Sequence, residues 1–147
     1  MKPPFLLVDS HQCTGCRICE QWCAWSHFGQ VTPALARLRI HKNHRQFTHQ
    51  IVACAQCDPA ECIMACPQEA IQRDPQTFGL LLDEELCLLC NNCVDSCPEA
   101  CIQLHPLSQI PLLCDLCGGD PACASHCPEG AIRYALKAEP GELIVHV

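Results

Sequence analysis

Cys87-Leu88-Leu89-Cys90-Asn91-Asn92-Cys93-Val94-Asp95-Ser96-Cys97-Pro98 is the stretch on which the reading of this 147-residue chain turns. Three cysteines at intervals of three put three thiols within seven residues, and a fourth follows one helical turn later with proline behind it. The pattern recurs. Cys13, Cys16, Cys19 and Cys23 form a first set, Cys54, Cys57, Cys62 and Cys66 a second, and Cys114, Cys117, Cys123 and Cys127 a fourth, so that sixteen of seventeen cysteines fall into four sets. Pro67 and Pro128 stand where Pro98 does, whereas Cys23 is followed by Ala24.

Three thiolates so close together suit three corners of an iron-sulfur cubane, and C-x2-C-x2-C-x3-C-P is the bacterial ferredoxin run, whose fourth cysteine serves the other cluster of a pair. Zinc is the main competitor, since two C-x2-C pairs can build a tetrahedral site, but zinc knuckles separate their ligand pairs more widely. A disulfide framework is disfavoured by the odd cysteine count and the lack of a secretory signal. No C-x2-C pair is followed by histidine, which argues against attached haem. Cys101, the odd one, sits four residues after the last cysteine of its set, in the slot held elsewhere by Ala70 and Ala131, and reads as a small buried residue that binds no metal.

Only seven aromatic residues are present, and the 49% hydrophobic content counts the cysteines themselves. So small an apolar core predicts folding coupled to metal insertion, with incompletely loaded chains open to proteolysis. The formal charge is −7, and sixteen coordinated thiolates around four oxidised clusters bring it to about −15. A basic partner is favoured by such a surface and nucleic acid is not. No segment approaches the roughly 20 apolar residues of a membrane span, and Phe5-Leu6-Leu7-Val8 is too short for a signal core, so the expected location is the cytoplasm, without direct membrane insertion.

Two kinds of set are visible. Sets one and three follow apolar runs (Phe5–Val8 and Leu80–Leu82) with an aspartate, Asp9 or Asp83, four residues before the first cysteine. Sets two and four have a longer gap before the third cysteine, containing Asp58-Pro59-Ala60 or Asp120-Pro121-Ala122. Each unit reads as strand, ligand loop, short helix, strand, the second strand beginning near Ile71, Ile102 or Ile132. The fold class is α+β, with short strands and short helices in two ferredoxin-like two-cluster modules. Symmetry permits neighbouring sets to pair or one pair to nest inside the other.

The alternation in Arg37-Leu38-Arg39-Ile40-His41-Lys42 predicts a strand with one wet face, in a stretch holding four of the nine Lys and Arg residues and offering a docking or tuning surface. None of the scattered histidines makes a convincing catalytic base. Trp22, Trp25 and Phe28 flank Cys23 and are expected to pack over the first set. No glycine-rich phosphate loop, nucleophile elbow or isolated carboxylate pair is present, so the chain is read as storing and passing electrons, with no catalytic residues.

The four spacings together resemble the four-cluster ferredoxin-type electron-transfer subunits of molybdenum and tungsten pterin oxidoreductases, over roughly residues 5 to 134. The first block, Cys13-Thr14-Gly15-Cys16-Arg17 through Trp22-Cys23 with Thr32-Pro33-Ala34-Leu35-Ala36-Arg37-Leu38, is similar to the small subunits accompanying tungsten aldehyde oxidoreductases and benzoyl-coenzyme A reductases. Relatives of the dimethyl sulfoxide and nitrate reductase type are larger. The resemblance implies nesting, with an outer module of residues 1–30 plus 106–147, an inner module of 51–105 and a β-hairpin insertion at 31–50, all within one compact unit spanning 1–147.

It also implies the ligands of four 4Fe-4S clusters. One takes Cys13, Cys16, Cys19 and Cys127, and a second Cys114, Cys117, Cys123 and Cys23. A third takes Cys54, Cys57, Cys62 and Cys97, and the last Cys87, Cys90, Cys93 and Cys66. The implied partners are a pterin-containing tungsten or molybdenum catalytic subunit and a flavin-containing or other redox subunit. A stand-alone polyferredoxin, a formate dehydrogenase or hydrogenase small subunit, and a zinc-binding adaptor are the alternatives.

Overall fold

A computed structural model describes residues 4–136; the expected reach of the outer module over 1–3 and 137–147 lies outside the described residues. Its eight strands form four separate two-stranded antiparallel sheets. Strand β1 (Pro4–Val8) pairs with β8 (Ile132–Leu136), Val8 opposite Ile132, so the beginning and end of the described chain close on each other. The other pairs are β2 (Arg39–Asn43) with β3 (Thr48–Val52), β4 (Ile71–Arg73) with β5 (Leu80–Leu82), and β6 (Gln103–Leu104) with β7 (Pro111–Leu112). Ribbons this short are marginal in isolation, so what fills the space between them decides stability.

Each cysteine set lies between a strand and a short helix. Helix α2 (Glu61–Met64) carries Cys62, α3 (Asn92–Asp95) carries Cys93 and α4 (Ala122–Ser125) carries Cys123. All three are four residues long, because the proline after the fourth cysteine cannot continue the helix and disfavours helical geometry at the residue before it. The set lacking that proline behaves differently: α1 (Ile18–Phe28) runs for 11 residues before Gly29, at φ +63°, closes it with a hydrogen bond to Trp25 O at 2.8 Å.

The loops repeat as well. The residue before the second cysteine is left-handed in every set, at Gly15, Gln56, Leu89 and Leu116. In the three proline-bearing sets the third residue after the fourth cysteine is left-handed too, at Glu69, Ala100 and Gly130. These turns re-aim the chain so that Ile71, Ile102 and Ile132 are buried at 2%, 6% and 2% exposure, each contributing ~1.5–3 kcal/mol by leaving water.

The buried side chains divide into two cores. One gathers Leu6, Leu38, Ile40, Ile51, Leu116 and Ile132 around Cys19, Cys23 and Cys123, where α1 packs against α4. The other gathers Ile71, Leu80, Ile102 and Leu113 around Cys62, Cys93 and Cys101, where α2 packs against α3. Buried Gln56 joins them: its Nε2 donates to Cys114 O at 3.0 Å, and Arg73 donates to its Oε1 at 3.2 Å. At the same seam Leu80 N donates to Cys114 O at 2.9 Å, and a Cβ on Gly79 would stand 2.1 Å from Asp115 O, which only glycine tolerates.

The hairpin of β2 and β3 spans 39–52, beginning later and ending later than the 31–50 expected. A 3-10 turn, Pro33–Leu35, precedes it, and Arg39 donates to the carbonyls of Ala34 and Ala36 around that turn. Within β2 only Ile40 is buried, while His41, Lys42 and Asn43 face water. Buried Glu20 pins the hairpin to α1 by accepting from Ile40 N at 2.8 Å, and it pairs with Arg17 Nε at 3.2 Å.

Candidate metal centres

All seventeen cysteines are free thiols. Cys13 lies within electrostatic reach of Cys16 and Cys127, and Cys19 of Cys13 and Cys16. Cys123 stands near Cys23, Cys117 and Cys19, and Cys114 near Cys123 and Cys23. One pocket of the inner core is lined by Cys54, Cys57, Cys62 and Cys97, and another by Cys66, Cys87, Cys90 and Cys93. The fourth cysteine of each set thus lies beside cysteines of another: Cys127 beside Cys13, Cys23 beside Cys114 and Cys123, Cys97 with Cys54, Cys57 and Cys62, and Cys66 with Cys87, Cys90 and Cys93. Sets one and four come together, as do sets two and three.

The chemistry of these donors fits iron. Burial pushes the Cys19 thiol up to about 12, with the neighbouring Glu20 charge adding to it, and burial pushes Cys62 up to about 11. Cys123 and Cys114 are raised further, again chiefly by burial and by nearby cysteines. Crowded, dry thiols hold their protons unless a cation replaces them, and four soft donors per group are what a cubane requires. Cys54 runs the other way: the neighbouring Cys101 thiol favours its thiolate and outweighs burial.

Cys101 is buried at 3% exposure with its Sγ 3.5 Å from Cys97 Sγ. The three aromatic residues sit otherwise than expected. The core side of α1 is taken by Cys19, Glu20, Cys23 and Ala24, which leaves Trp25 on the far face at 51% exposure. Trp22 stacks on His126 instead, ring centroids 3.7 Å apart, and Phe28 leans on His105.

Sequence reasoning passed over a charged group beside the first and fourth sets of cysteines. His27 Nδ1 donates to Cys23 O at 2.7 Å and Nε2 to Asp115 Oδ1 at 3.0 Å; Arg37 reaches Asp115 Oδ2 at 2.9 Å, and its backbone N–H donates to Cys23 Sγ at 3.2 Å. Both ring nitrogens face acceptors, so the ring is a cation. Burial opposes that charge, but the bonds to Asp115, Cys117 and Cys23 overcome it and carry the His27 pKa up to about 12. Burial likewise works against the Asp115 carboxylate, and His27 and Arg37 overcome it, holding its pKa well below the usual range. The one sequence clue was position: His27 follows Cys23 by a helical turn.

Comparison with known proteins agrees with this chemistry. A family model for 4Fe-4S binding domains matches residues 80–103. The polyferredoxin-like subunit of aliphatic sulfonate oxidoreductase from Pyrococcus furiosus is 33% identical over 137 residues, spanning 93% of this chain and 78% of that one. The putative electron transport protein YsaA of Escherichia coli is 32% identical, spanning 88% and 87%. The structure of the benzoyl-coenzyme A reductase active-site complex BamBC, as isolated, superposes with TM-score 0.58 at 23% identity over 95% of this chain and 82% of that chain, a likeness of fold.

The class is therefore that of ferredoxin-type proteins binding 4Fe-4S clusters. The chain belongs to the family of polyferredoxin-like electron-transfer subunits of oxidoreductases. Among the described residues no helix is long and apolar enough to cross a membrane.

Proposed function

We propose that this chain carries four 4Fe-4S clusters and relays single electrons between a pterin-containing tungsten or molybdenum catalytic subunit and a second redox partner. The observation that carries the reading is the company of the fourth cysteines: Cys127 beside Cys13, Cys23 beside Cys123, Cys97 with Cys54, Cys57 and Cys62, and Cys66 with Cys87, Cys90 and Cys93. The ligand groups are accordingly Cys13, Cys16, Cys19, Cys127; Cys114, Cys117, Cys123, Cys23; Cys54, Cys57, Cys62, Cys97; and Cys87, Cys90, Cys93, Cys66. They form an outer and an inner two-cluster module, the inner one nested within the outer. When bound, the clusters supply one-electron storage; the protein holds them, keeps water from their inner faces and sets their potentials.

Proximity orders the groups. Cys19 lies near Cys123, Cys114 near Cys54, and Cys62 near Cys93, which makes a line from the Cys13 group to the Cys87 group. Cys16 and Cys90, one in each end group, are exposed and offer the two ports. The tungsten or molybdenum partner is supported by the resemblance of the first block to the subunits accompanying tungsten aldehyde oxidoreductases. So many cysteines held as cluster ligands and none in a disulfide suits a reducing compartment, and we place the protein in the cytoplasm.

The test is anaerobic purification with an affinity tag. Co-purification of a pterin-containing chain, with about sixteen irons and as many acid-labile sulfides per copy of this subunit, is the expected result. A solitary chain that never associates with such a partner would refute the complex, and a colourless zinc protein would refute the clusters.

A further inference from the structure

The sets repeat closely enough for one slot to be compared across all four: the residue four places after the fourth cysteine. Ala70 and Ala131 hold it behind Cys66 and Cys127, whereas His27 and Cys101 hold it behind Cys23 and Cys97. Each polar side chain folds back on the cysteine before it. Cys101 Sγ lies 3.5 Å from Cys97 Sγ. His27 Nδ1 lies 3.9 Å from Cys23 Sγ, and its Nε2 lies 4.0 Å from Cys117 Sγ.

The two ligand groups so served are the two in the middle. Cys114 of one lines the pocket formed by Cys54, Cys57, Cys62 and Cys97 of the other, and Gln56 ties their loops together. Position matters because an added electron is penalised in a dry interior. The end groups each have a solvent-exposed cysteine, Cys16 or Cys90, and water there screens the charge. In the middle, screening must come from the protein itself.

Resting on the ligand assignment proposed above, we infer that Cys101 and His27 are potential-setting residues for the two middle clusters, Cys101 by donating its S–H to the ligand sulfur of Cys97 and His27 by holding a positive charge beside the sulfurs of Cys23 and Cys117, each offsetting the cost of burial. A donor at a ligand sulfur draws off electron density and stabilises the reduced state, which raises the potential. Reduction adds one electron to a cluster, and the proton stays on Cys101 or His27, so no bond breaks.

Cys101 is the donor in its pair: Cys97, as a ligand, carries no proton, so across the 3.5 Å between the two sulfurs only Cys101 has an S–H to give. Cations act in the same direction. Arg37 and His27 outweigh Asp115 by one positive charge beside Cys23, and Arg73 acts on Cys54 against the opposing charge of Glu99. At the end groups the slot is alanine, and Cys66 receives only the backbone N–H of Ala70, at 3.3 Å.

The experiment is a potentiometric titration of the cluster-loaded full chain under anaerobic conditions, followed by paramagnetic resonance. Iron and sulfide are measured first, and a preparation well short of about sixteen of each refutes the ligand assignment itself. With full loading, Cys101→Ala and His27→Ala are each expected to shift one component to lower potential, a different one in each variant, with the other components unmoved. Cys101→Ala copies the side chain present at Ala70 and Ala131, so the fold should tolerate it. Cys101→Ser, which keeps a donor, is expected to restore most of the shift. Unchanged or raised potentials in fully loaded Cys101→Ala, or equal values for the Ala and Ser variants, would overturn the inference; if His27→Ala fails to hold iron, the Cys101 pair decides alone.

Discussion

His27, Asp115 and Arg37 form one charged cluster, with Asp115 bonded to both cations. Their side chains are 10%, 25% and 20% exposed, so deleting the shared carboxylate strands two cations in a mostly dry site. Asp115→Ala should cost about 2–3 kcal/mol, less than a fully buried pair because water reaches part of it, read as a lowered thermal midpoint. The pH dependence follows from the two shifts. The raised pKa of His27 gives stability that is complete below its unfolded value of ~6.5 and fades as pH climbs toward about 12. The depressed pKa of Asp115 gives stability present above ~3.9 and lost as pH falls through its lower folded value. Melting temperature should therefore be highest between about pH 4 and 6.5 as far as this group is concerned. Asp115→Asn should flatten the alkaline slope, and an unchanged slope would show that His27 is not held charged by this contact.

At the scale of elements, the absence of one proline shapes the outer module. Ala24 occupies the place of Pro67, Pro98 and Pro128, is fully buried, and lets α1 continue far enough to deliver His27. Ala24→Pro should break α1 at a cost of ~3 kcal/mol or more, visible as lost helical circular dichroism and as a changed signal from the outer clusters alone. The seam between modules has its own sensitive point: Gly79→Ala should cost ~1–3 kcal/mol, because the new methyl collides with the Asp115 carbonyl. An unchanged denaturation midpoint would mean that β5 can move away freely.

Much of this was legible beforehand. Cysteine spacing gave the four sets, the prolines marked the ends of α2, α3 and α4, and the isoleucines after them marked the returning strands. What escaped the sequence were contacts between residues far apart along the chain. Nothing local announces that Asp115 meets His27 across 88 positions, or that Gln56 reaches Cys114. The aromatic residues of α1 misled because proximity to Cys23 in sequence does not fix the face of a helix.

For the whole molecule, protons and iron compete for the same sulfurs. Since burial raises Cys19 and Cys62 to about 12 and about 11, the folded protein favours protonated thiols until metal arrives, and each unit of acidification strengthens that competition by up to tenfold per thiol. Visible absorbance should fall as pH is lowered, together with iron in the filtrate. Stripping iron with a strong chelator at neutral pH should collapse the fold as well as the colour, since four isolated ribbons cannot stand alone. An apo chain that kept native circular dichroism and resisted protease would contradict this. The charge of about −15 predicts that binding to a basic partner weakens as salt rises.

The pairing of β1 with β8 has a consequence for biosynthesis. Strand β1 leaves the ribosome long before its mate β8 has been translated, and with the ligand groups proposed above the thiols from Cys13 to Cys23 would wait through about ninety or more further codons for Cys114 to Cys127. Residues 51–105 emerge as an uninterrupted stretch and can mature first. With the ligand groups and nesting proposed above, assembly would run from the inside outward, and the cysteines of the first set would be the last to be sealed and the longest exposed to oxidants.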